Sequence, residues 1–190
     1  MKSALRIIIF VMVMGSVSSF LLVGVNALTA KQVALNEEIK VKSSVLDVLG
    51  IPYQKENILP IFDANIKALE KGRQKFYRGP DNAVAFEFQG SGLWGPIHGM
   101  AGINSDLKTI RILKILHQEE TPGLGARIAE KEYLGQFKDK EFVPRLIFTP
   151  QGSAQANNEV DAITGATGTS KALEKLLNET LQKNISLLKG

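Results

Sequence analysis

From Ile7 to Leu28 the chain reads IIIFVMVMGSVSSFLLVGVNAL, 22 residues without a single charge. About 20 apolar residues are enough for a helix to cross the hydrocarbon layer of a bilayer, so this run is read as a membrane segment. Lys2 and Arg6 stand just before it, and the positive-inside rule then puts the short amino terminus in the cytoplasm and everything after Thr29 on the periplasmic or extracellular side of the cytoplasmic membrane. Val25-Asn26-Ala27 resembles the small-residue cleavage site of a signal peptide. A signal peptide's apolar region runs only ~7 to 15 residues, however, and the greater length here favours a retained anchor. The expected organisation is an anchor over residues 1–29 and one extracytoplasmic domain over residues 30–190.

Composition removes several function classes. The chain has no cysteine, which excludes disulfides, a thiolate nucleophile, Cys-ligated iron–sulfur clusters, the C-x-x-C-H haem attachment and a lipoprotein anchor. A net charge of +4 spread along the chain forms no basic stripe, so nucleic acid is not an expected partner. The two histidines, His98 and His117, belong to no ligand cluster, which argues against a metal site, and His98 is expected only to pack in or cap a strand. Gly123-Leu124-Gly125-Ala126-Arg127-Ile128 begins like a dinucleotide loop but has Ile128 where a third glycine or alanine belongs, and no strand end precedes it. No nucleophile elbow or Walker A loop is present, and Glu119 with Glu120 reads as a solvated pair sooner than as an acid/base dyad. Two Asn-x-Ser/Thr sequons, at Asn178 and Asn184, fall inside a helical pattern and carry no weight.

After the anchor, Lys31–Leu49 has a helical pattern that stops at Gly50 and Pro52, and Ile58–Leu69 reads as a second short helix ending at Gly72. The period then changes. Ala83–Phe88, Gly95–Ile103 and Thr109–Leu116 are rich in strand formers, with turn residues Asn104-Ser105-Asp106 between the last two. A helix over Ala129–Phe137 and a strand over Val143–Phe148 follow. From Lys171 the apolar positions Leu173, Leu176, Leu177, Leu181, Ile185 and Leu188 trace one face of a helix that must begin around Gly165–Thr169. The pattern is α+β, with strands in the middle and helices at the flanks.

That last helix opens on an unusual run, Thr164-Gly165-Ala166-Thr167-Gly168-Thr169-Ser170. Unpaired backbone N–H groups and the positive end of the dipole make a helix start suited to a phosphate, and small residues let a ligand come close to the backbone. One N-cap explains one hydroxyl; the run has four.

Asp161-Ala162-Ile163-Thr164-Gly165-Ala166-Thr167 resembles a flavinylation motif, Asp, two residues and then Ser/Thr-Gly-Ala-Thr, found in the G subunit of the Rnf complex and in the C subunit of the Na⁺-translocating NADH:quinone reductase, Nqr. A second signature of these two proteins, Glu-Thr-Pro-Gly-Leu-Gly, stands unaltered at Glu120-Thr121-Pro122-Gly123-Leu124-Gly125, and Gly92–Ile97 is similar to a glycine-rich segment of both. Ala162-Ile163 and Pro96-Ile97 lean to Rnf and Leu93-Trp94 leans to Nqr, so the residues leave that choice open, along with the ion pumped. The resemblance covers nearly the whole chain, residues 31–80 only loosely.

What the resemblance implies is specific. The fold is a single transmembrane helix followed by an FMN-binding domain with a mainly antiparallel sheet flanked by helices. Thr167 is the residue whose hydroxyl a separate flavin transferase esterifies to the phosphate of FMN. Thr164, Gly165 and Ala166 bind the cofactor with it, and Asp161 serves the transferase, although a lone acid there also suits a turn. Glu120, Thr121, Pro122, Gly123, Leu124 and Gly125 form a turn against the flavin ring; Trp94 borders it or packs in the core; and Lys171 either meets the phosphate or is solvated. A helix start contributes only about 0.3–1 kcal/mol toward an anion, against roughly 12 kcal/mol for nanomolar retention, so a covalent ester would keep a cofactor that could otherwise be lost outside the cell. The implied function is a redox-carrier subunit working with other subunits of an ion-translocating membrane complex, not catalytic alone. The alternatives are an anchored assembly module without flavin and a stand-alone flavin reductase.

Overall fold

The computed structural model describes residues 2–189. Its first element, α1, runs unbroken from Lys2 to Leu49. No proline and no pair of helix breakers lies between Gly24 and Gly50, so the apolar run and the charged segment after it form one helix. The helix ends in a Schellman cap. Gly50 takes a left-handed φ of +69°, its N–H bonds to the Asp47 carbonyl at 3.1 Å, and the Ile51 N–H reaches the Leu46 carbonyl at 2.9 Å. The chain divides into two compact units within this helix, Met1–Val41 and Lys42–Gly190. In the first, the apolar side chains of the charge-free run are exposed all round, as a lipid-facing helix requires, and the helix is long and apolar enough to cross a membrane.

In the second unit the end of α1 buries Ser44, Val45, Leu46, Val48 and Leu49. Helix α2, Ile58–Asn65, is shorter than the pattern predicts. The residues expected to complete it form β1 (Lys67–Lys71), paired with β2 (Gln74–Arg78) in a hairpin whose register joins Lys71 to Gln74 across Gly72-Arg73. Gly72, with φ +64°, is therefore a hairpin turn residue and not a helix stop. The sheet continues through β3 (Val84–Ser91), β4 (Pro96–Ile103) and β5 (Ile110–His117), every neighbour antiparallel and in chain order. The expected strands at 83–88, 95–103 and 109–116 correspond to these three.

Beyond β5 the elements are short: a 3₁₀ turn at Gly125–Ala129, α3 at Lys131–Gly135, and a parallel pair of β6 (Ile147–Thr149) and β7 (Glu159–Asp161). The strand expected over Val143–Phe148 starts only at Ile147, because the preceding backbone is satisfied by a side chain. Asn178 accepts from the Leu146 N–H at 2.8 Å and donates to its carbonyl at 2.9 Å. This pair of hydrogen bonds gives the first sequon's asparagine a structural use. The last helix, α4 (Thr167–Lys189), lays Leu173, Leu176, Leu177, Leu181 and Ile185 on a core of Phe76, Phe86, Phe88, Ile97 and Ile103. It approaches β3 so closely that a Cβ on Gly90 would lie 2.4 Å from Leu176.

Candidate functional site

Three segments far apart in sequence meet at the start of α4. The first is the β3–β4 connection, Gly92–Gly95, closed by the Gly92 N–H on the Gly95 carbonyl at 2.7 Å. The second is Thr121–Leu124, a turn with Pro122 and Gly123 at its centre. Gly123 has φ +73°, and the Thr121 carbonyl accepts from Leu124 N at 3.1 Å and Ala126 N at 3.0 Å. Proline followed by a glycine of positive φ is what a type II turn requires. The third is the first turn of α4.

Glu120 ties them together. It is 4% exposed. Its Oε1 accepts from the backbone N–H groups of Leu93 (2.7 Å) and Trp94 (3.1 Å), and its Oε2 accepts from the Thr169 hydroxyl (2.6 Å). The reading of Glu119 and Glu120 as one solvated pair is thus corrected: Glu119 is exposed and pairs with His117 at 3.1 Å, while Glu120 is a buried strut. The packing around the strut leaves no room at Gly125, where a Cβ would stand 2.5 Å from Thr169 Oγ1.

The four hydroxyls divide by partner. Thr164 donates to Gln151 Oε1 at 2.6 Å, Thr169 donates to Glu120, and Ser170 accepts from the Ile163 N–H at 3.0 Å. Thr167, the first residue of α4, is exposed, and its hydroxyl forms no hydrogen bond among the described residues. The Ser170 N–H on the Ala166 carbonyl (2.9 Å) closes the first helical turn, so the amides of Thr167, Gly168 and Thr169 are those that a helix leaves without internal partners.

The converging segments leave three large apolar side chains in solvent: Leu93 (53% exposed), Trp94 (73%) and Leu124 (46%). Leu93 lies 2.8 Å from where a Cβ on Gly168 would be, and Leu124 lies 3.5 Å from the corresponding point on Gly165, whose φ is +80°. Trp94 is not a core residue; its place in a glycine-bracketed turn holds it outside. A cleft of about 620 Å³ lies along the Gln89–Pro96 hairpin beside Leu93 and Trp94. An apolar rim next to free helix amides and a free hydroxyl fits a group with a flat apolar ring and a phosphate, as FMN has.

Asp161 and His98 have their hydrogen-bond partners elsewhere. Asp161 turns to the 152–154 loop, accepting from Ser153 N (3.1 Å) and Ala154 N (3.0 Å), while Gln136 holds its backbone. Those backbone bonds, led by Ala154, keep its carboxyl below the usual aspartate range. These bonds are those of a turn acid. Lys171 is exposed, and His98 pairs with Glu87 at 3.1 Å on the sheet. Sequence reasoning passed over Leu93, Gly168 and the Glu120–Thr169 bond. Of these only Leu93-Trp94, an apolar pair bracketed by glycines, carries a signal in the sequence.

Comparison with known proteins relates the segments that form this site to a known domain family. Residues 92–182, which contain all three converging segments, match the FMN-binding domain family. The chain is 28% identical over 185 residues to the G subunit of the ion-translocating oxidoreductase complex of Methanosarcina acetivorans, covering 95% of this chain and 94% of that one. It is 33% identical over 120 residues to the C subunit of the Na⁺-translocating NADH-quinone reductase of Chlamydia pneumoniae, where the match spans 52% of this chain but only 38% of the relative. The crystal structure of the C subunit of the Na⁺-translocating NADH-quinone reductase from Parabacteroides distasonis superposes with a TM-score of 0.69 at 24% identity, over 82% of this chain and 94% of that one, so the fold is shared.

Proposed function

We infer that this chain, which carries an FMN-binding domain and is similar to the G and C subunits of Rnf- and Nqr-type complexes, is a redox-carrier subunit of an ion-translocating membrane electron-transport complex. Its FMN is joined through a phosphoester to Thr167. The observation that carries this reading is the partition of hydroxyls: Thr164, Thr169 and Ser170 are engaged in the fold, and Thr167 alone is exposed and unpartnered at the head of α4.

When bound, FMN supplies one- and two-electron transfer. The rest is the work of this chain's residues. Thr167 Oγ gives up its proton and displaces a leaving group from the phosphorus of an activated flavin donor, in a step run by a separate flavin transferase; the net gain is FMN less water. The amides that open α4 suit the remaining phosphoryl oxygens. Leu93, Leu124 and Trp94 offer an apolar surface to the ring, and Glu120 holds the turns that present them. Asp161 acts on this reading by fixing the 152–154 loop that the transferase meets.

Coexpressed with an active transferase, the protein should keep flavin fluorescence through denaturing electrophoresis, and the tryptic peptide containing Thr167 should gain the mass of FMN less water. Thr167→Val keeps the β-branched shape and removes the hydroxyl, so the fluorescent band should vanish; Thr169→Val should retain it. The reverse pattern would move the attachment site to Thr169, and a wild-type protein that never becomes fluorescent would refute the flavoprotein reading. For the anchor, Lys2 and Arg6 before an uncharged run support an amino terminus in the cytoplasm and the domain outside. Protease added to intact spheroplasts should digest the domain, and its full protection would reverse the orientation.

A further inference from the structure

The two edges of the sheet are unlike. At one edge β1 exposes Lys67, Ala68, Leu69 and Glu70, with Glu70 paired to Lys75 at 3.4 Å, the charged and solvated kind of edge that resists pairing with another chain. At the other, β5 is closed only at its beginning. The Ile110 N–H bonds to the Lys140 carbonyl (2.9 Å) and its carbonyl accepts from Asp139 N (2.8 Å). Beyond Ile110, among the described residues, the backbone of β5 pairs with β4 alone.

A groove of about 620 Å³ runs beside this open stretch, with residues 111–115 on one wall and Lys131, Leu134 and Lys138 on the other. Successive side chains of a strand point to opposite faces, so a groove bordered by five in a row follows the edge of the strand and not one face. The unpaired N–H and C=O groups of β5 therefore open into it, beside half-buried Ile112 and Ile115. The β5 wall is neutralised, because Arg111 pairs with Asp81 and Lys114 with Asp47. Lys131 and Lys138 on the facing wall are exposed and form no ion pair among the described residues, which leaves that wall positive.

We propose that an extended, acidic segment of a neighbouring subunit adds to β5 as a further strand, with its backbone on 111–115 and its carboxylates opposite Lys131 and Lys138. A second copy of this chain is a poor occupant, since pairing β5 with β5 would bring the same basic residues together from both sides. The proposal rests on the reading of the chain as a subunit of a complex.

The test uses the full chain in its membrane complex. A photo-crosslinking residue at Ile112 should join an acidic segment of another subunit, identified by mass spectrometry, whereas the same residue at Leu69 on β1 should not. Lys131→Glu with Lys138→Glu should lower co-purification of the other subunits by roughly tenfold or more while the covalent-flavin band persists, and Lys131→Arg with Lys138→Arg should restore assembly. Normal co-purification of the double glutamate variant overturns the proposal. So does a crosslink from Ile112 to a second copy, to lipid or to nothing, and this result decides if the glutamate variant fails to accumulate. Loss of the flavin band in the wild type would instead sink the flavoprotein reading and leave the crosslink to be judged separately.

Discussion

Replacing Glu120 by alanine should destabilise the domain more than any other single change at the site. The side chain accepts three hydrogen bonds, from Leu93 N, Trp94 N and Thr169 Oγ1. Thr169 is 2% exposed, so its hydroxyl loses its acceptor where water does not reach, at about 1–3 kcal/mol. Leu93 and Trp94 lie in an exposed turn where water can replace the lost acceptor, so each of their bonds counts only its net worth, about 0.5–1.5 kcal/mol. The sum is about 2–6 kcal/mol, and at its midpoint the melting temperature of a domain this size should fall by about 8–16 °C. Glu120→Gln keeps one oxygen for the two turn amides and can turn its NH₂ to Thr169, whose hydroxyl then accepts, so about 1 kcal/mol should be lost. Because the variants share partners, Glu120→Ala and Thr169→Val should be non-additive by about 1–2 kcal/mol. Urea titration of the full chain in detergent, with proteolysis beyond residue 41 reporting the unfolded fraction, measures each midpoint; an unchanged slope would mark a pure stability effect. Equal losses for alanine and glutamine, or a loss below about 1 kcal/mol for alanine, would refute the strut.

Two further outcomes follow from the packing and the charges. A Cβ on Gly102 would stand 2.2 Å from the Val48 backbone carbonyl, which cannot swing aside like a side-chain end, so Gly102→Ala should cost about 1–3 kcal/mol or more in the same titration, and a neutral result would mean that α1 does not seat on β4 this closely. The carboxyl of Asp161 titrates below its usual 3.8, chiefly through the Ala154 backbone bond. The unfolded chain therefore holds that proton more tightly, and the stabilisation is complete above 3.8 and lost as pH falls through the lower folded value. Hydrogen exchange at Ser153 and Ala154 should accelerate across that window and lose this dependence in Asp161→Asn. The amides of Gln155 and Ala156, which bond to Glu159, should keep theirs. Unchanged behaviour at Ser153 in the variant would remove Asp161 from the loop.

Features that depend on neighbours in the chain are written in the sequence. The absence of charge from Ile7 to Leu28 makes a helix long enough for a bilayer, Gly50 followed by Pro52 ends it, and alternating apolar residues make β3, β4 and β5, because each of these is a local preference. The two motif turns are legible for the same reason: Pro122-Gly123 and Gly165 specify backbone shapes that few other residues adopt. The β1–β2 hairpin was not legible, since Lys67–Lys71 has little strand character of its own and is held by its partner and by the turn at Gly72. Nor was the open edge at β5, which depends on where the 139–142 segment stops covering it. The clearest case is Glu119-Glu120. Two identical residues side by side have the same local preferences, yet one is solvated and the other is the buried centre of the site. The difference comes from acceptor demand supplied by residues about 26 and 49 positions away, Trp94 and Thr169, and only the closed tertiary structure brings those donors to one carboxyl and not to the other.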